Sequence, residues 1–265
     1  MKRHNVWTLV LSLAVAVSVS AAWAAEPLGE AKTHKTAGGF VLSYRLLSPP
    51  KIEPGRKYPL VLLLHGAGER GSDNKAQLKW GVADFAKNMD RHPCFLLAPQ
   101  CPNGMKWVEV DWSGKTHAMP AEPSKPLGAA KEVLDQLLKD SPVDPDRLYV
   151  TGLSMGGYGT WDALQRWPSF WAAGIPVCGG GDKAGALAMA KLPLWAFHGD
   201  KDGAVPVSRS RDMIQAVRQA GGKPKYTEYP GLGHNVWTPA YGDKATHDWL
   251  FAQKRGQPPV DVPAP

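Results

Sequence analysis

Gly152-Leu153-Ser154-Met155-Gly156 reads as G-x-S-x-G and follows the apolar run Arg147-Leu148-Tyr149-Val150-Thr151. A serine at a sharp strand-to-helix turn presents its hydroxyl above a sheet edge, and flanking glycines leave room for that turn. A hydroxyl is a weak nucleophile near neutral pH. It needs a neighbouring base, and the base needs an acid to orient it. Downstream, in chain order, stand Asp200 and Asp202 within His198-Gly199-Asp200-Lys201-Asp202-Gly203-Ala204-Val205-Pro206. His234 follows in Gly231-Leu232-Gly233-His234-Asn235. The order serine, acid, histidine suits a nucleophile on a strand–turn–helix unit. His234 is the expected base, and both aspartates stand where the acid should be. His198 ends an apolar run and reads as structural, while His247 falls in a helical pattern as a surface or packing residue. A serine nucleophile attacking a carbonyl also needs two N–H groups aimed at the developing oxyanion. Met155, next after Ser154, is one expected donor. The other is Ala67 in His65-Gly66-Ala67-Gly68, with Gly68 as second choice.

The elements that must position these residues follow from the apolar pattern. Residues 40–47 read as a strand, broken by the Pro- and Gly-containing stretch 48–59. Leu60-Val61-Leu62-Leu63-Leu64 is continuously apolar, the mark of a strand buried on both faces. A helix is expected over 74–89, a strand over 95–98, a long loop over 100–127 and a helix over 128–139. The strand 147–151 leads through the serine turn into a helix over 155–167, stopped by Pro168. Strands at 171–177, 192–197 and 225–229, with helices at 207–220 and 243–253, complete the pattern. Residues 26–38 are weakly patterned, and the Pro-rich tail from about 256 is expected to be mobile. Strands alternating with helices call for a mostly parallel, twisted α/β sheet with helices on both faces. In such sheets the loops after the strands gather at one edge, where ligands bind. There is no internal repeat, so residues 25–265 read as one domain.

The first 24 residues stand apart. Lys2 and Arg3 precede a short apolar run from Val6 to Val19, and Ala22-Trp23-Ala24 supplies the small residues of a cleavage site. This is the pattern of a secretory signal peptide rather than a membrane anchor. A secreted or periplasmic location, without stable membrane insertion, is expected. The formal net charge is +7, with two units from Lys2 and Arg3. The charges are interspersed, which disfavours nucleic-acid binding. Cys94 and Cys101 flank the expected strand 95–98, which separates them by about 23 Å at roughly 3.3 Å per residue. A disulfide needs Cα atoms within about 7 Å. Those two, with Cys178, therefore read as buried free thiols. No zinc-binding spacing is present, and no metal or organic cofactor is expected.

The segments LLLHGAGERG, APQCPNGMKWVEVDWS, VTGLSMGGYGTW, FHGDKDGAVPV and YPGLGHNVWTPAY span roughly 60–241. Together they resemble α/β-hydrolase serine esterases, in the branch near dienelactone hydrolases, carboxylesterase/phospholipases and prolyl oligopeptidase catalytic domains. The resemblance implies Ser154 as nucleophile, His234 as base and, of the two aspartates, Asp202 as acid. Dienelactone hydrolases use a cysteine nucleophile, so Ser154 moves this chain away from that activity. Secreted feruloyl and acetylxylan esterases are similar, which implies a small or aromatic acyl ester attached to carbohydrate as substrate. Trp107 and Trp112 in the long loop, and Trp237 after the histidine, are the expected substrate-stacking residues. A peptidase of the prolyl oligopeptidase type and a non-catalytic glycan-binding module are the alternatives.

Overall fold

A computed structural model describes residues 28–112 and 114–261. The expected signal peptide lies outside the described residues. Eight strands form one sheet: β1 (Glu30–Lys35), β2 (Val41–Leu47), β3 (Tyr58–Leu64), β4 (Phe95–Gln100), β5 (Val143–Leu153), β6 (Ala173–Val177), β7 (Trp195–Gly199) and β8 (Lys225–Tyr229). Their spatial order is β1-β2-β4-β3-β5-β6-β7-β8. The pairs from β4 through β8 are parallel, while β1 with β2 and β2 with β4 are antiparallel.

Strand β3 explains the layering. Leu60, Leu62 and Leu64 point into one core, and Val61 and Leu63 into the other. Successive strand side chains face opposite ways, so an unbroken apolar run fits only a strand covered on both faces. The first core includes residues of α2 (Lys125–Asp140), α3 (Met155–Arg166) and α4 (Ser208–Gln219). The second is covered by α1 (Val82–Lys87), α5 (Trp237–Gly242) and α6 (Lys244–Ala252). Helix α2 begins as its sequence allows: Ser124 caps it by accepting from the Leu127 N–H, and Pro126 sits in its first turn, where no N–H is needed.

Four expectations change. Residues 30–35 form the edge strand β1, whose polar residues suit a solvent-facing edge and hide the alternation that marks a half-buried strand. The helix expected over 74–89 is only a single turn at 76–78 and the short α1. Gly81 interrupts it with φ 78°, and a side chain there would meet Leu63 and Tyr241 at 3.0 Å. The sequence 183–189 adds a helical segment, and α5 follows His234. The tail is not loose where it is described: the Gln253 side chain donates to Val260 O and accepts from Val260 N, both at 2.9 Å.

Candidate active site

The turn between β5 and α3 holds Ser154 at φ 56° and ψ −117°. A β-carbon in that region is strained, and such strain persists only where surrounding structure fixes it. Here the Ser154 N–H donates to Val177 O at 2.9 Å, and Ser154 O accepts from the Tyr158 N–H at 3.1 Å. The four nearby glycines let the backbones close up. A β-carbon on Gly156 would lie 1.9 Å from Leu64 O, and one on Gly157 would lie 2.3 Å from Val177 O. Gly152 abuts Gly156 O, and Gly159 makes way for Trp107. Helix α3 therefore rests on β3 and β6 through bare backbone, which fixes where Ser154 stands.

His234 lies on the loop after β8, and Asp202 on the loop after β7. Ser154 Oγ is 2.9 Å from His234 Nε2, and His234 Nδ1 is 2.7 Å from Asp202 Oδ2. A carboxylate only accepts, so Nδ1–H donates to Asp202 and Nε2 is left to take the serine proton. Asp202 has further partners. Its Oδ1 accepts from the Ala204 and Val205 N–H groups at 2.9 and 2.8 Å, and His198 Nε2 lies 3.1 Å from Oδ2. Burial alone would raise its pKa. The hydrogen bonds from His198, His234 and the Val205 backbone outweigh it and hold the carboxyl far below the usual carboxylate range. Asp200 does not reach His234; its Oδ1 accepts from the Gly231 N–H at 2.7 Å, steadying the start of the histidine loop. Cys178, at φ 48°, places its thiol 3.2 Å from His234 O.

On the other side of Ser154 runs the loop after β3. Ala67 opens a short helical turn, residues 67–69, and Met155 opens α3. Among the described residues, no protein acceptor takes the N–H of either. Gly66 lies against Ser154, since a β-carbon on it would be 3.6 Å from Ser154 Cβ. The loop is held by His65, whose role the sequence did not disclose. Its Nε2 accepts from the Cys101 N–H at 2.9 Å, which leaves Nδ1–H to donate to Gly66 O at 2.6 Å. Burial lowers its pKa to about 4, so the ring is neutral and this polarity is kept at neutral pH. Arg70 Nε donates to Ala67 O at 2.9 Å from the far end of the turn.

The three tryptophans separate. Trp107 is 0% exposed, packs edge-on against His65 and donates its Nε1–H to His65 O. It supports the loop from within the core, and the expected stacking role is corrected. Trp112 is partly buried against Tyr158 with Lys106 over its ring. Trp237 stands edge-on to His234, ring centroids 5.2 Å apart, and also meets Trp80, which the sequence reading passed over. Cys178, Asp202 and His234 bring potential metal ligands within 4.8 Å of one another. In the 2.7 Å hydrogen bond to Asp202 the His234 Nδ1 carries the proton and offers no lone pair to a metal. All three cysteines are free and buried.

Such a site can move a proton from Ser154 to His234 while Asp202 balances the imidazolium. Comparison with known proteins agrees in kind. A solved thermostable esterase is 41% identical, with TM-score 0.80, and the match covers 85% of this chain and 63% of that one. A bifunctional acetylxylan esterase/xylanase of Neocallimastix patriciarum is 24% identical over 236 residues, covering 85% of this chain but only 32% of that protein. A ferulic acid esterase structure, 19% identical with TM-score 0.60 and covering 80% of this chain and 93% of that one, shares the fold. The phospholipase/carboxylesterase family pattern matches residues 51–247, three quarters of the sequence. With its α/β-hydrolase sheet and its serine turn, the chain belongs to that family of carboxylic ester hydrolases.

Proposed function

We propose that the protein is a secreted serine ester hydrolase that works through an acyl-enzyme, on small or aromatic acyl esters of carbohydrate. The observation that carries the mechanism is the hydrogen-bond line Ser154 Oγ, His234 Nε2, His234 Nδ1 and Asp202 Oδ2, at 2.9 and 2.7 Å. Ser154 Oγ attacks the ester carbonyl carbon as its proton passes to His234 Nε2. The carbonyl π pair moves onto oxygen, where the N–H groups of Met155 and Ala67 receive it. The tetrahedral intermediate collapses, the C–O bond to the alcohol breaks, and His234 gives its proton to the leaving oxygen. Water, deprotonated by His234, then attacks the acyl carbon and releases the acid and Ser154. Apart from the ester and water, every step uses groups of the chain itself.

The carbohydrate part of the reading is supported by the Trp80–Trp237 pair beside His234 and by the acetylxylan esterase relative. Secretion is supported by the leader-like residues 1–24. No helix among the described residues is long and apolar enough to cross a membrane. Turnover of p-nitrophenyl acetate, methyl ferulate, acetylated xylan and a peptide p-nitroanilide tests the reading. We expect turnover of esters with the amide left intact. A folded protein that cleaves only the amide, or nothing, overturns it.

A further inference from the structure

The proposed ester hydrolysis leaves unused one charge that stands at the end of the loop after β3. Glu69 ends the turn 67–69 and is only 6% exposed. Its Oε2 lies 3.0 Å from the position of a β-carbon on Gly66, the same point that is 3.6 Å from Ser154 Cβ. Among the described residues, no hydrogen bond or ion pair reaches its carboxylate; the Gln100 amide, close by, donates instead to the Glu69 main-chain oxygen. The little exposure that Glu69 keeps is at these oxygens, which touch solvent close to where negative charge would grow on a substrate oxygen. Their donors therefore come from outside the chain, from water or from a bound ligand.

Glu69 opens onto a groove of about 540 Å³, lined further by Gly68, Lys75, Leu78 and Lys79. That volume is in the range of small-molecule sites. The charges narrow the chemistry of the ligand. A cation would meet Lys75 and Lys79, and an anion would meet Glu69. A neutral polyol suits both, since its hydroxyls donate to the carboxylate and accept from the ammonium groups. An aromatic wall stands next to the groove: Lys79 Nζ is 5.1 Å above the Trp80 ring, and Trp80 leads to Trp237 and His234.

We infer that this groove is a subsite for the alcohol side of the ester, a sugar ring with neighbouring hydroxyls, and that Glu69 accepts hydrogen bonds from two of them. The inference rests on the esterase reading and names the part of the substrate that the triad does not touch. Glu69 is on this account a specificity residue. Losing a hydrogen bond to a charged group lowers affinity by about tenfold or more.

Two measurements test it. In the first, kcat/KM is measured on a monoacetylated methyl β-xyloside and on p-nitrophenyl acetate, for the wild type and Glu69→Gln. The ratio of sugar ester to p-nitrophenyl ester should fall about tenfold in the variant; a ratio within twofold of wild type overturns the subsite. In the second, calorimetry follows xylotriose binding to Ser154→Ala with Glu69 intact and with Glu69→Gln added. Binding that weakens about tenfold supports the subsite. Equal binding overturns it, and so does absence of binding to Ser154→Ala itself, an outcome that needs no Glu69 variant. Failure of the esterase reading shows differently, as no wild-type turnover of either ester, and the calorimetry still decides the subsite.

Discussion

The two sides of Ser154 are built to different standards. On the acid side, both Asp202 oxygens are taken, by His234 and His198 on one and by two backbone N–H groups on the other. His198 itself is closed off by Ser210 Oγ at 2.7 Å. On the loop side, the N–H groups of Ala67 and Met155, the Glu69 carboxylate and the Trp237 Nε1–H have no protein partner among the described residues. A fully satisfied buried network holds one geometry, whereas unsatisfied groups await another molecule. The contrast separates two tasks. On the proposed mechanism, proton handling is fixed within the chain, and recognition is left for the substrate to complete.

The largest predicted effect would break this contrast at its centre. Ser154→Ala should remove ester turnover by about 10⁴-fold or more, with an unchanged circular dichroism spectrum. Retained turnover would mean that another residue attacks the ester. Next, Asp202→Asn should lower kcat by about 10⁴-fold, because the amide disturbs the His234 tautomer. Asp200→Asn should cost only a few-fold, since Asp200 contacts Gly231 rather than the imidazole. A larger loss at 200 in the same assay would reverse their roles.

Stability against pH tests whether His65 holds the recognition loop as a neutral ring. Its folded pKa of about 4 lies below the ordinary value of 6.5, so between those limits the unfolded chain binds the proton that the folded one refuses. The His65 contribution is complete above about pH 6.5 and declines as pH falls toward 4. His117, also lowered to about 4 by burial and by Arg209, acts in the same window. The melting temperature should fall by several degrees across that range, and His65→Gln should flatten the slope. An unaltered slope would assign the effect elsewhere. The smallest change is expected at the rim. Trp237→Ala should raise KM for methyl ferulate by about two- to tenfold, the scale of an aromatic contact. Trp107→Ala should instead lower stability by about 3–5 kcal/mol, read in urea unfolding. Equal behaviour of the two variants would erase the distinction drawn between wall and core.

The sequence made the acid side legible because each of its parts lies next to a strong local signal. Ser154 sits in a glycine pattern, and Asp202 and His234 each follow a strand. The parallel sheet was legible for the same reason, since residues 60–64 of β3 and 95–98 of β4 are uninterrupted apolar runs. The loop side was not. Trp107 and Trp237 are alike as letters, and only the packing of Gly159 and His65 around one of them tells core from rim. Glu69 and Trp80 gain their meaning from neighbours brought in by the chain's path around Gly81, a turn hidden inside a helical pattern. Asp200 and Asp202 are two residues apart in a charged loop, and local spacing alone left both in play; the resemblance favoured Asp202, and the hydrogen bonds to Ala204 and Val205 show how the backbone turns that carboxylate inward.

The folded-back C-terminal segment has a practical side. The Gln253 clamp on Val260, with Arg255 paired to Asp146 at 2.9 Å, carries the chain past Pro168, Trp171 and Lys223. These residues border the starts of strands β6 and β8, whereas Ser154, Asp202 and His234 stand at strand ends. A tether, tag or resin attached through Asp261 would therefore leave from the rear of the molecule. A protein immobilised that way would turn the proposed serine site outward, toward a solid or polymeric ester.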